Sequence, residues 1–400
     1  MLTLKSLPQT PDAQLRNIGW DWLLGTDTLP YLTNEVVVVS DDQAGNYYEA
    51  ANELFEMFID AGQHVIDNNR FAELGIPPTL IDLIHLSWND DRQIHLYGRF
   101  DFAGGIDGTA GPDTGIKLIE FNADTATCLP ETAVVQYAHL KANGLDEARQ
   151  FNAVFDTLVG QFRLLIHQNT DLQATLLLSA MRDVPEDDAN VALLGEAARE
   201  AGFEVAYAYI DEVEFSGSEG VFRQDKSTGN FEKYDFWFKL VPWEYIGEEE
   251  PDLAAMLTEA VRNRKVVVIN PAYTLLFQSK AILAILWELF PYHPLLLRTQ
   301  TKPFGESGEA PVASVEKVLF GREGANVRIL DEAGQVTDEV GGDYGTYPKI
   351  YQAFVEFPRD ADGNYFQAGV FYAGEACGLG FRRGGRIIDN GAGFVGHLIE

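Results

Sequence analysis

The sequence predicts a mixed α/β (α+β) protein, and three stretches of the chain support this prediction. Between about residues 171 and 269, short apolar segments alternate with a helical segment, which is typical of a small α/β unit with parallel strands. Near residues 95–103 and 116–124, polar and apolar residues alternate as they do in half-buried strands. After about residue 350 the chain alternates in the same way between Asp and Gly turns, which predicts antiparallel strands.

The length of the chain predicts more than one packed part. Single hydrophobic cores stop growing near roughly 250 to 300 residues, whereas this chain has 400 residues. We therefore divide it into residues 1–170, 171–270 and 271–400 and expect these three parts to pack against one another.

The first part is predicted to contain helices and a hairpin. Apolar residues have helical spacing over residues 46–66 and 131–168. The two alternating stretches, 95–103 and 116–124, lie between these helices and are predicted to pair. The segment that joins them, Ala103–Gly115, holds five glycines and a proline, as expected of a long loop.

The second and third parts follow in the same manner. Apolar segments at residues 174–181, 203–210 and 265–269 predict strands, and residues 190–202 predict a helix between the first two. The third part opens with Lys280–Phe290, which is apolar almost all round and is predicted to be a buried helix. The strands predicted after it have the sequences YQAFVEFP, FQAGVFYAG and ACGLGFRR.

Composition excludes several classes of function. Acidic residues outnumber basic ones by 61 to 29, and the net charge of −32 would repel a nucleic acid. The two cysteines, Cys128 and Cys377, are too few for a disulfide framework or a four-thiolate zinc site. The first residues lack the apolar run of a secretory signal, and no apolar run reaches the roughly 20 residues of a membrane span. We expect a cytoplasmic protein without nucleic-acid or membrane partners.

The predicted hairpin carries polar side chains on one face of both strands. Arg99 and Asp101 share a face of the first strand, and Glu120, Asn122 and Asp124 share a face of the second. If these faces lie side by side, Asp101, Glu120 and Asn122 bring three oxygen ligands together, which suits Mg²⁺ and substrate phosphates. An ordinary amphipathic hairpin with its polar face in water is the alternative.

Common nucleotide and metal motifs are absent from the sequence. It contains no GxxxxGK[ST], HExxH, CxxC or GxSxG, and its glycines do not have dinucleotide-binding spacing. Two lysines in apolar surroundings are the remaining phosphate-binding candidates. Lys280 begins the predicted buried helix, and Lys317 lies in a strand-like segment that is followed by glycines. Exposed surface lysines are the alternative for both.

Six segments in this order give the sequence a family resemblance. They are RFDF, IEFNADTATCLPE, FKLVPWE, QSKAILAILWELFPYHPLLL, VEKVLFGREGANVRI, and IYQAFVEFP with GLGFRR after it. Together they resemble the synthetase domain of glutathionylspermidine synthase and its relatives without an amidase domain, the acid–amine ligases. The resemblance covers about residues 16 to 400.

The resemblance implies a permuted ATP-grasp fold, in which antiparallel sheets clasp ATP beside a small pre-ATP-grasp-like α/β substrate domain. Residues 1–170 would then carry the metal-binding hairpin, 171–270 the substrate subdomain and 271–400 the ATP-grasp part. It also implies a ligase that depends on ATP and one or two Mg²⁺ ions. Such an enzyme joins a small acid to an amine through an acyl phosphate. Since the amidase half is missing, we expect synthesis only.

The resemblance further implies roles for individual residues. Those near ATP and the metal are Arg99 at the γ-phosphate, Lys280 and Lys317 at the phosphates, Tyr351 and Gln352 on the adenine strand, and Asp101, Glu120 and Asn122 as Mg²⁺ ligands. Those near the substrates are Thr125, Thr127, Arg322 and Arg382 for the acid, and Glu186 and Asp187 for the amine. Arg99 and Arg382 are implied to be catalytic.

Glycine-rich stretches are the candidates for lids that keep water from an acyl phosphate. Gly305–Gly308 and Gly341–Gly345 are such stretches, with ordinary surface loops as the alternative. Two other functions remain open. A glycoside hydrolase would use Asp101 and Glu120 as its carboxylate pair and would need no ATP. A nucleotide-binding or regulatory protein of the same fold would have lost the ligase step.

Two departures from the family concern the hairpin and the amine. The loop Ala103–Gly115 is longer than the family's link. Phe394 stands where the resemblance places an aspartate that holds the polyamine. An aromatic ring cannot accept hydrogen bonds from an ammonium group as a carboxylate does. We therefore expect spermidine to be a poor substrate, whereas glutathione or another peptide-like acid remains compatible with the arginines and threonines.

Overall fold

The computed structural model describes residues 2–25, 31–106, 115–306 and 311–400 of the chain. The α-helices in these ranges are α1 Asp12–Asn17, α2 Asp41–Asp67, α3 Ile81–Trp88, α4 Gln136–Ala142, α5 Val154–Gln168, α6 Pro185–Ala201, α7 Trp243–Glu249, α8 Pro251–Arg262, α9 Thr274–Gln278 and α10 Ile282–Leu289. Short 3₁₀ turns and a π-helical turn at Glu131–Val135 connect some of them. None of these helices combines the length and the apolar character that crossing a membrane requires.

The strands of the described residues form three- to five-stranded sheets. They are β1 Leu4–Ser6, β2 Glu35–Val39, β3 Gly98–Ala103, β4 Lys117–Asn122, β5 Thr175–Ala180, β6 Glu204–Tyr209, β7 Val213–Ser216, β8 Gly220–Gln224, β9 Phe231–Tyr234, β10 Phe236–Lys239, β11 Val267–Ile269, β12 Thr299–Gln300, β13 Ser314–Val318, β14 Val327–Leu330, β15 Val336–Val340, β16 Lys349–Ala353, β17 Tyr365–Tyr372, β18 Ala376–Gly384, β19 Gly393–Val395 and β20 His397–Ile399.

The predicted small α/β unit is confirmed. Its strands have the order β11-β10-β5-β6, and every pairing among them is parallel. Helix α6 lies between β5 and β6 in the chain and packs on both. All four residues of β10 are buried, as expected of a central strand whose sheet is covered on both faces. This burial includes Lys239, a charged residue that contributes to the candidate site.

A five-stranded antiparallel sheet joins the two ends of the chain. Its order is β19-β18-β17-β3-β4, so the hairpin predicted from residues 95–103 and 116–124 pairs with strands from beyond residue 360. On its apolar face Phe100 and Phe121 are stacked with ring centroids 3.8 Å apart, and Phe58 of α2 packs edge-on against both. The opposite face carries the polar residues of the hairpin.

A second antiparallel sheet has the order β12-β16-β13-β14-β15. The sequence predicted antiparallel strands separated by short Asp and Gly turns after about residue 350; the strands are antiparallel, but β16 and β17 are not joined by a short turn. Strand β16 pairs with β12 and β13, whereas β17 pairs with β18 and β3. The connection of residues 354–364 carries the chain from one sheet to the other. The alternating pattern therefore predicted the strands correctly but did not predict which strands pair.

Several helix boundaries differ from the prediction. The helical pattern over residues 131–168 is interrupted after α4, where Gly144 has a φ of 65° and the chain turns before α5 begins. Helix α10 begins at Ile282, so Lys280 precedes the helix instead of opening it. The helix predicted at 46–66 is confirmed and is longer, because Ser40 and Gln43 form a capping box at its start.

Candidate active site

The hairpin β3–β4 brings its polar residues together. The antiparallel register places Arg99 opposite Asn122 and Asp101 opposite Glu120. The amide Nδ2 of Asn122 donates to Asp101 Oδ2 at 3.1 Å and to Glu120 Oε1 at 3.5 Å. The side-by-side arrangement of the two polar rows is therefore confirmed. Their proposed role as metal ligands rests on this geometry and on the chemistry of the donors.

These three side chains fit a hard cation in their chemistry. Asp101 and Glu120 offer carboxylate oxygens, and a flip of the Asn122 amide would turn its oxygen inward with little change in shape. The described residues contain no group of three His, Cys, Asp or Glu side chains that could hold a metal by themselves. A cation here would thus need the amide oxygen of Asn122 as its third protein ligand.

Arg99 fixes the position of Asp101. Its Nε and Nη2 donate to the two oxygens of Asp101 at 2.6 and 2.9 Å, and its Nη1 donates to the Thr127 carbonyl at 2.7 Å. Burial raises the pKa of Asp101, although Arg99 opposes this shift. The arginine thus orients one candidate metal ligand and ties it to the loop that follows β4.

Two buried lysines reach the same row from the last third of the chain. Lys280 Nζ lies 3.2 Å from Glu120 Oε2 and donates to the Gly321 carbonyl at 2.7 Å. Lys317 Nζ donates to Gln352 Oε1 at 2.8 Å. Each lysine is only 6% exposed, so neither is a surface lysine.

Glu120 and Lys317 have shifted pKa values in this cluster. Burial lowers the pKa of Lys317 to about 8, although Glu120 favours its charged form. Burial alone would raise the pKa of Glu120, but Lys280 and Lys317 outweigh it and hold that pKa below its ordinary value. Glu120 is therefore the charged link between the hairpin and the lysines.

A pocket of about 740 Å³ opens above Lys280 and Lys317. Its walls are mostly apolar and include Val315, Ile329 and Phe354. Gln352 lies in the wall, whereas the side chain of Tyr351 points to the other face of β16 and donates to Glu316 Oε2 at 3.0 Å. The pocket combines an apolar slot with two cations at its base.

A second pocket, of about 1080 Å³, adjoins the first and is mostly polar. Glu120 lines both pockets. The other residues predicted for the site that line the second pocket are Arg99, Asp101, Asn122, Thr125, Thr127, Glu186, Arg322 and Arg382.

The two substrate arginines are held by different partners. Arg322 donates to Thr125 Oγ1 at 2.8 Å and to Glu244 Oε1 at 2.6 Å. Arg382 donates to the Ala392 carbonyl at 2.8 Å and to the Cys128 sulfur at 3.4 Å. Within the described residues the Nε of each arginine is buried without a hydrogen-bond partner. Both arginines thus retain a donor in the neighbourhood of this pocket.

The predicted acidic pair lies at the rim. Glu186 and Asp187 are in the first turn of α6, and of these two only Glu186 lines the second pocket. Burial and the neighbouring carboxylates of Glu186, Asp188 and Glu323 raise the pKa of Asp187 to about 6. The pair is an acidic edge of the pocket.

A buried support beneath the site was not predicted. Asp124, expected on the polar face of the hairpin, lies past the end of β4 and is completely buried. Its Oδ1 accepts from Lys239 Nζ at 2.9 Å, and its Oδ2 accepts from the backbone N–H of Trp243 at 2.9 Å. Gln278 and Asn270 hold the backbone of the same segment. In the sequence, the one sign of this buried ion pair was Lys239, a lysine inside the apolar strand β10.

Of the two glycine-rich stretches, Gly341–Gly345 is connected to the surroundings of the site. Gly308 is outside the described residues, as is most of the loop Ala103–Gly115. In the stretch Gly341–Gly345, the backbone N–H of Tyr344 donates to Asn326 Oδ1 at 2.8 Å. The hydroxyl of Tyr344 accepts from Tyr245, which is the neighbour of Glu244. That stretch is therefore attached to the surroundings of Arg322.

Comparison with solved structures shows that the fold is shared. The glutathione synthetase-like effector GSS30 of Globodera pallida matches with a TM-score of 0.58 at 10% sequence identity. The match covers 99% of this chain and 100% of that one. The protein therefore has a glutathione synthetase-like mixed α/β fold, as the predicted fold class requires.

The chain belongs to the glutathionylspermidine synthase pre-ATP-grasp family, whose model matches residues 3–400. A Haemophilus influenzae protein named as a candidate acid–amine ligase is 32% identical, with 99% of each chain covered. The bifunctional glutathionylspermidine synthetase/amidase of Escherichia coli is 28% identical over 82% of this chain. Trypanothione synthetase of Crithidia fasciculata is 27% identical over 86% of this chain. The family resemblance found in the sequence is confirmed.

The relatives differ in length. The match covers 52% of the Escherichia coli protein and 55% of the Crithidia protein, so the chain spans about half the length of these two relatives. It spans almost the whole of the Haemophilus protein.

Proposed function

We propose that this protein is an ATP- and Mg²⁺-dependent carboxylate–amine ligase of the EC 6.3 class, which forms an amide through an acyl phosphate. The position of Glu120 carries this proposal. It lines both pockets and connects the oxygen-bearing row of the hairpin to Lys280 in the apolar pocket. A reaction that moves a phosphoryl group from a nucleotide to an acid needs such a junction.

The residues of the first pocket fit ATP. The apolar walls suit a purine, and Lys280 and Lys317 are placed to neutralise phosphates at the base. Asp101, Glu120 and Asn122 would hold Mg²⁺, which supplies charge neutralisation for the phosphoryl group when bound. Tyr351 would contribute through the backbone of β16, because its side chain points away from the pocket.

The residues of the second pocket fit the acid and the reacting centre. Arg322 and the threonines Thr125 and Thr127 would bind the carboxylates of a small acid. Arg99 and Arg382 would stabilise the negative charge that develops as the phosphoryl group is transferred and leaves. Glu186 and Asp187 would attract the amine at the rim.

We propose two substrates. One is a small acid, either glutathione or another peptide-like acid, and the other is an amine. Relatives named for glutathionylspermidine and trypanothione support this chemical class. We place the protein in the cytoplasm, because both cysteines are unpaired and a reducing compartment keeps them so.

A screen for ADP release tests the proposal. Purified protein with ATP and Mg²⁺ is incubated with pairs of acids and amines, and products are identified by mass spectrometry. We expect ADP release that requires both an acid and Mg²⁺ and that accompanies a new amide. Nucleotide binding without turnover on any pair would favour a regulatory protein of the same fold, and cleavage of a glycoside without ATP and in the presence of a chelator would favour a glycoside hydrolase.

A further inference from the structure

A buried carboxylate with a free oxygen lies in the wall of the second pocket. Glu131 is the first residue of the π-helical turn Glu131–Val135 and is only 3% exposed. Its Oε1 accepts a hydrogen bond from the Tyr31 hydroxyl at 2.8 Å. Within the part of the chain that the structure describes, its Oε2 accepts no hydrogen bond. A buried carboxylate oxygen without a donor is costly, so this atom is suited to a ligand that supplies one.

Charged and titratable groups face Glu131 from several elements. They are Tyr31, Cys128, Glu186 in the first turn of α6, and Arg382 on β18. Arg382 attracts the carboxylate but donates its hydrogen bonds to Cys128 and to backbone carbonyls. Burial raises the pKa of Glu131, and Tyr31, its own backbone N–H and Arg382 offset that shift only in part. A carboxyl group with raised proton affinity can accept and hold a proton.

The other carboxylates that line the pocket are less suited to this task. Asp101 is bound by Arg99, and Glu120 is paired with Lys280. Glu186 and Glu323 are exposed, so water competes for their hydrogen bonds. Asp389 is partly exposed, and its Oδ1 accepts from the backbone N–H of Gly391 at 2.9 Å. No histidine is among the described residues that line the pocket.

An amide ligase has a specific need for such a group. An aliphatic amine is an ammonium ion at neutral pH and has no lone pair until it loses a proton. The acid is activated, in the proposed function, in the pocket that Glu131 lines. A proton acceptor in this pocket would generate the nucleophile next to its target.

We propose, building on the ligase function, that Glu131 Oε2 binds the ammonium group of a primary aliphatic amine and takes its proton. The transfer gives a neutral amine and a neutral Glu131 carboxyl group. The amine lone pair then forms the C–N bond to the acyl carbon, and the C–O bond to phosphate breaks. Its electron pair leaves with the phosphate, which also takes the second proton from nitrogen. Glu131 returns its proton to solvent after the amide leaves.

Hydroxylamine separates this step from acid activation. It is largely uncharged at neutral pH and attacks acyl phosphates directly, so its hydroxamate product needs no base. Wild type and Glu131→Gln are compared with ATP, Mg²⁺ and each acid that wild type converts to a hydroxamate. The amine panel is propylamine, 1,3-diaminopropane, glycine and spermidine. Glu147→Gln is the control, because Glu147 accepts from Tyr137 in a similar but exposed Tyr–Glu pair.

We expect Glu131→Gln to lose activity only with the amines that are charged at neutral pH. Glu131→Gln should lower kcat/KM for amide formation by about 100-fold or more and leave hydroxamate formation within about threefold of wild type. Equal activity of Glu131→Gln with both nucleophiles would overturn the proposal. So would equal loss of both in a folded variant, or a wild type that makes hydroxamates but no amide from the panel. A wild type that makes no acid-dependent hydroxamate would overturn the ligase function itself.

Tyr31→Phe provides a second test that does not alter the carboxylate. It removes the hydrogen bond that stabilises charged Glu131, so the pKa of Glu131 should rise. The acidic limb of the pH profile for amide formation should therefore move to higher pH, with the hydroxamate profile unchanged. An unmoved acidic limb would overturn the proposal even if Glu131→Gln fails to fold.

Discussion

Lys280 and Glu120 form an ion pair, with 3.2 Å between Nζ and Oε2, that joins the first third of the chain to the last. Glu120 is on the hairpin strand β4, and Lys280 precedes helix α10 at the base of the apolar pocket. The same lysine donates to the carbonyl of Gly321, which precedes Arg322. The pair therefore connects the candidate metal row, the candidate phosphate site and the loop of a substrate arginine.

The first prediction concerns the metal row. Glu120→Gln should reduce ATP turnover by about 100-fold or more, because it removes a metal ligand and the partner of Lys280. The Mg²⁺ concentration needed for half-maximal activity should rise. Asp101→Asn should have a similar effect on turnover. The measurement is acid-dependent ADP release over a series of Mg²⁺ concentrations.

A matched control separates this effect from the loss of any ion pair. Glu35 forms an ion pair with Arg383, with 2.6 Å between Oε2 and Nη1. The side chain of Glu35 is 29% exposed and that of Glu120 is 24% exposed, so the two pairs are comparable in burial of the glutamate. Glu35→Gln should keep wild-type turnover, and both glutamine variants should still unfold cooperatively, which shows that they are folded. Unchanged turnover in Glu120→Gln would remove the metal assignment.

The second prediction concerns Lys317 and pH. Its pKa is lowered to about 8 by burial, so the unliganded protein loses this positive charge as the pH rises through about 8. ATP affinity should therefore fall on the alkaline side. Lys317→Met should bind ATP more weakly, by on the order of 1.5 to 3 kcal/mol, and show no such fall. Calorimetric titration with MgATP between about pH 7 and pH 9.5 measures both effects around this pKa.

Raising the pH should have opposite effects on ATP affinity and on the contribution of Lys317 to stability. Between about 8 and the ordinary 10.5, the unfolded chain holds the Lys317 proton and the folded protein does not. The contribution of Lys317 to the free energy of unfolding thus increases with pH in this window.

The control for ATP affinity is Lys349, which is on the same sheet but is paired with Glu316 and lies outside the apolar pocket. Equal ATP affinity of Lys317→Met and Lys349→Met would contradict the prediction.

The sequence revealed the part of the site that one local pattern encodes. A period of two along β3 and β4 determines which side chains share a face, so Arg99, Asp101, Glu120 and Asn122 could be grouped from the amino-acid sequence alone. The pattern of a strand does not specify a distant neighbour. It therefore missed that β16 pairs with β13 and that β17 pairs with β3.

The buried support of the site was missed for the same reason. Lys239 and Asp124 are 115 residues apart and Asn270 and Asp124 are 146 apart, so no local period relates them. Glu131 and Tyr31 are also 100 residues apart. Charged residues within apolar segments were the available signal, because such residues are buried only when they are paired.

The third prediction concerns this buried pair. Lys239 and Asp124 are both fully buried, with 2.9 Å between Nζ and Oδ1. Lys239→Met should destabilise the fold by about 3 to 5 kcal/mol, because it leaves Asp124 buried without its cation. Adding Asp124→Asn should restore part of that loss. Lys233→Met, which breaks a more exposed Lys–Asp pair, should cost less than about 1 kcal/mol. Urea unfolding gives the free energy of unfolding of wild type, the two single lysine variants and the double variant. Equal losses of stability in Lys239→Met and Lys233→Met would contradict the prediction.

The last prediction concerns the amine and begins with the position of Phe394. Strand pairing places Phe394 directly beside Arg382, and its side chain is 4% exposed. A Cβ on Gly380 would lie 2.7 Å from the Phe394 ring, so the ring occupies space that only glycine leaves free. Only a narrow gap lies between Phe394, Arg382 and Cys128. The position at which the resemblance places a carboxylate is thus filled by a buried ring.

Wild type should therefore use spermidine poorly, because a ring binds an ammonium group by cation–π attraction of at most about 2 kcal/mol and with little directional specificity. The assay incubates the enzyme with ATP, Mg²⁺, glutathione and spermidine and measures the amide by mass spectrometry. Phe394→Asp should raise that activity, since its carboxylate could accept from the polyamine beside Arg382. Phe394→Ala, which adds space without charge, should not. Efficient glutathionylspermidine formation by wild type would show this prediction to be wrong while supporting the ligase function.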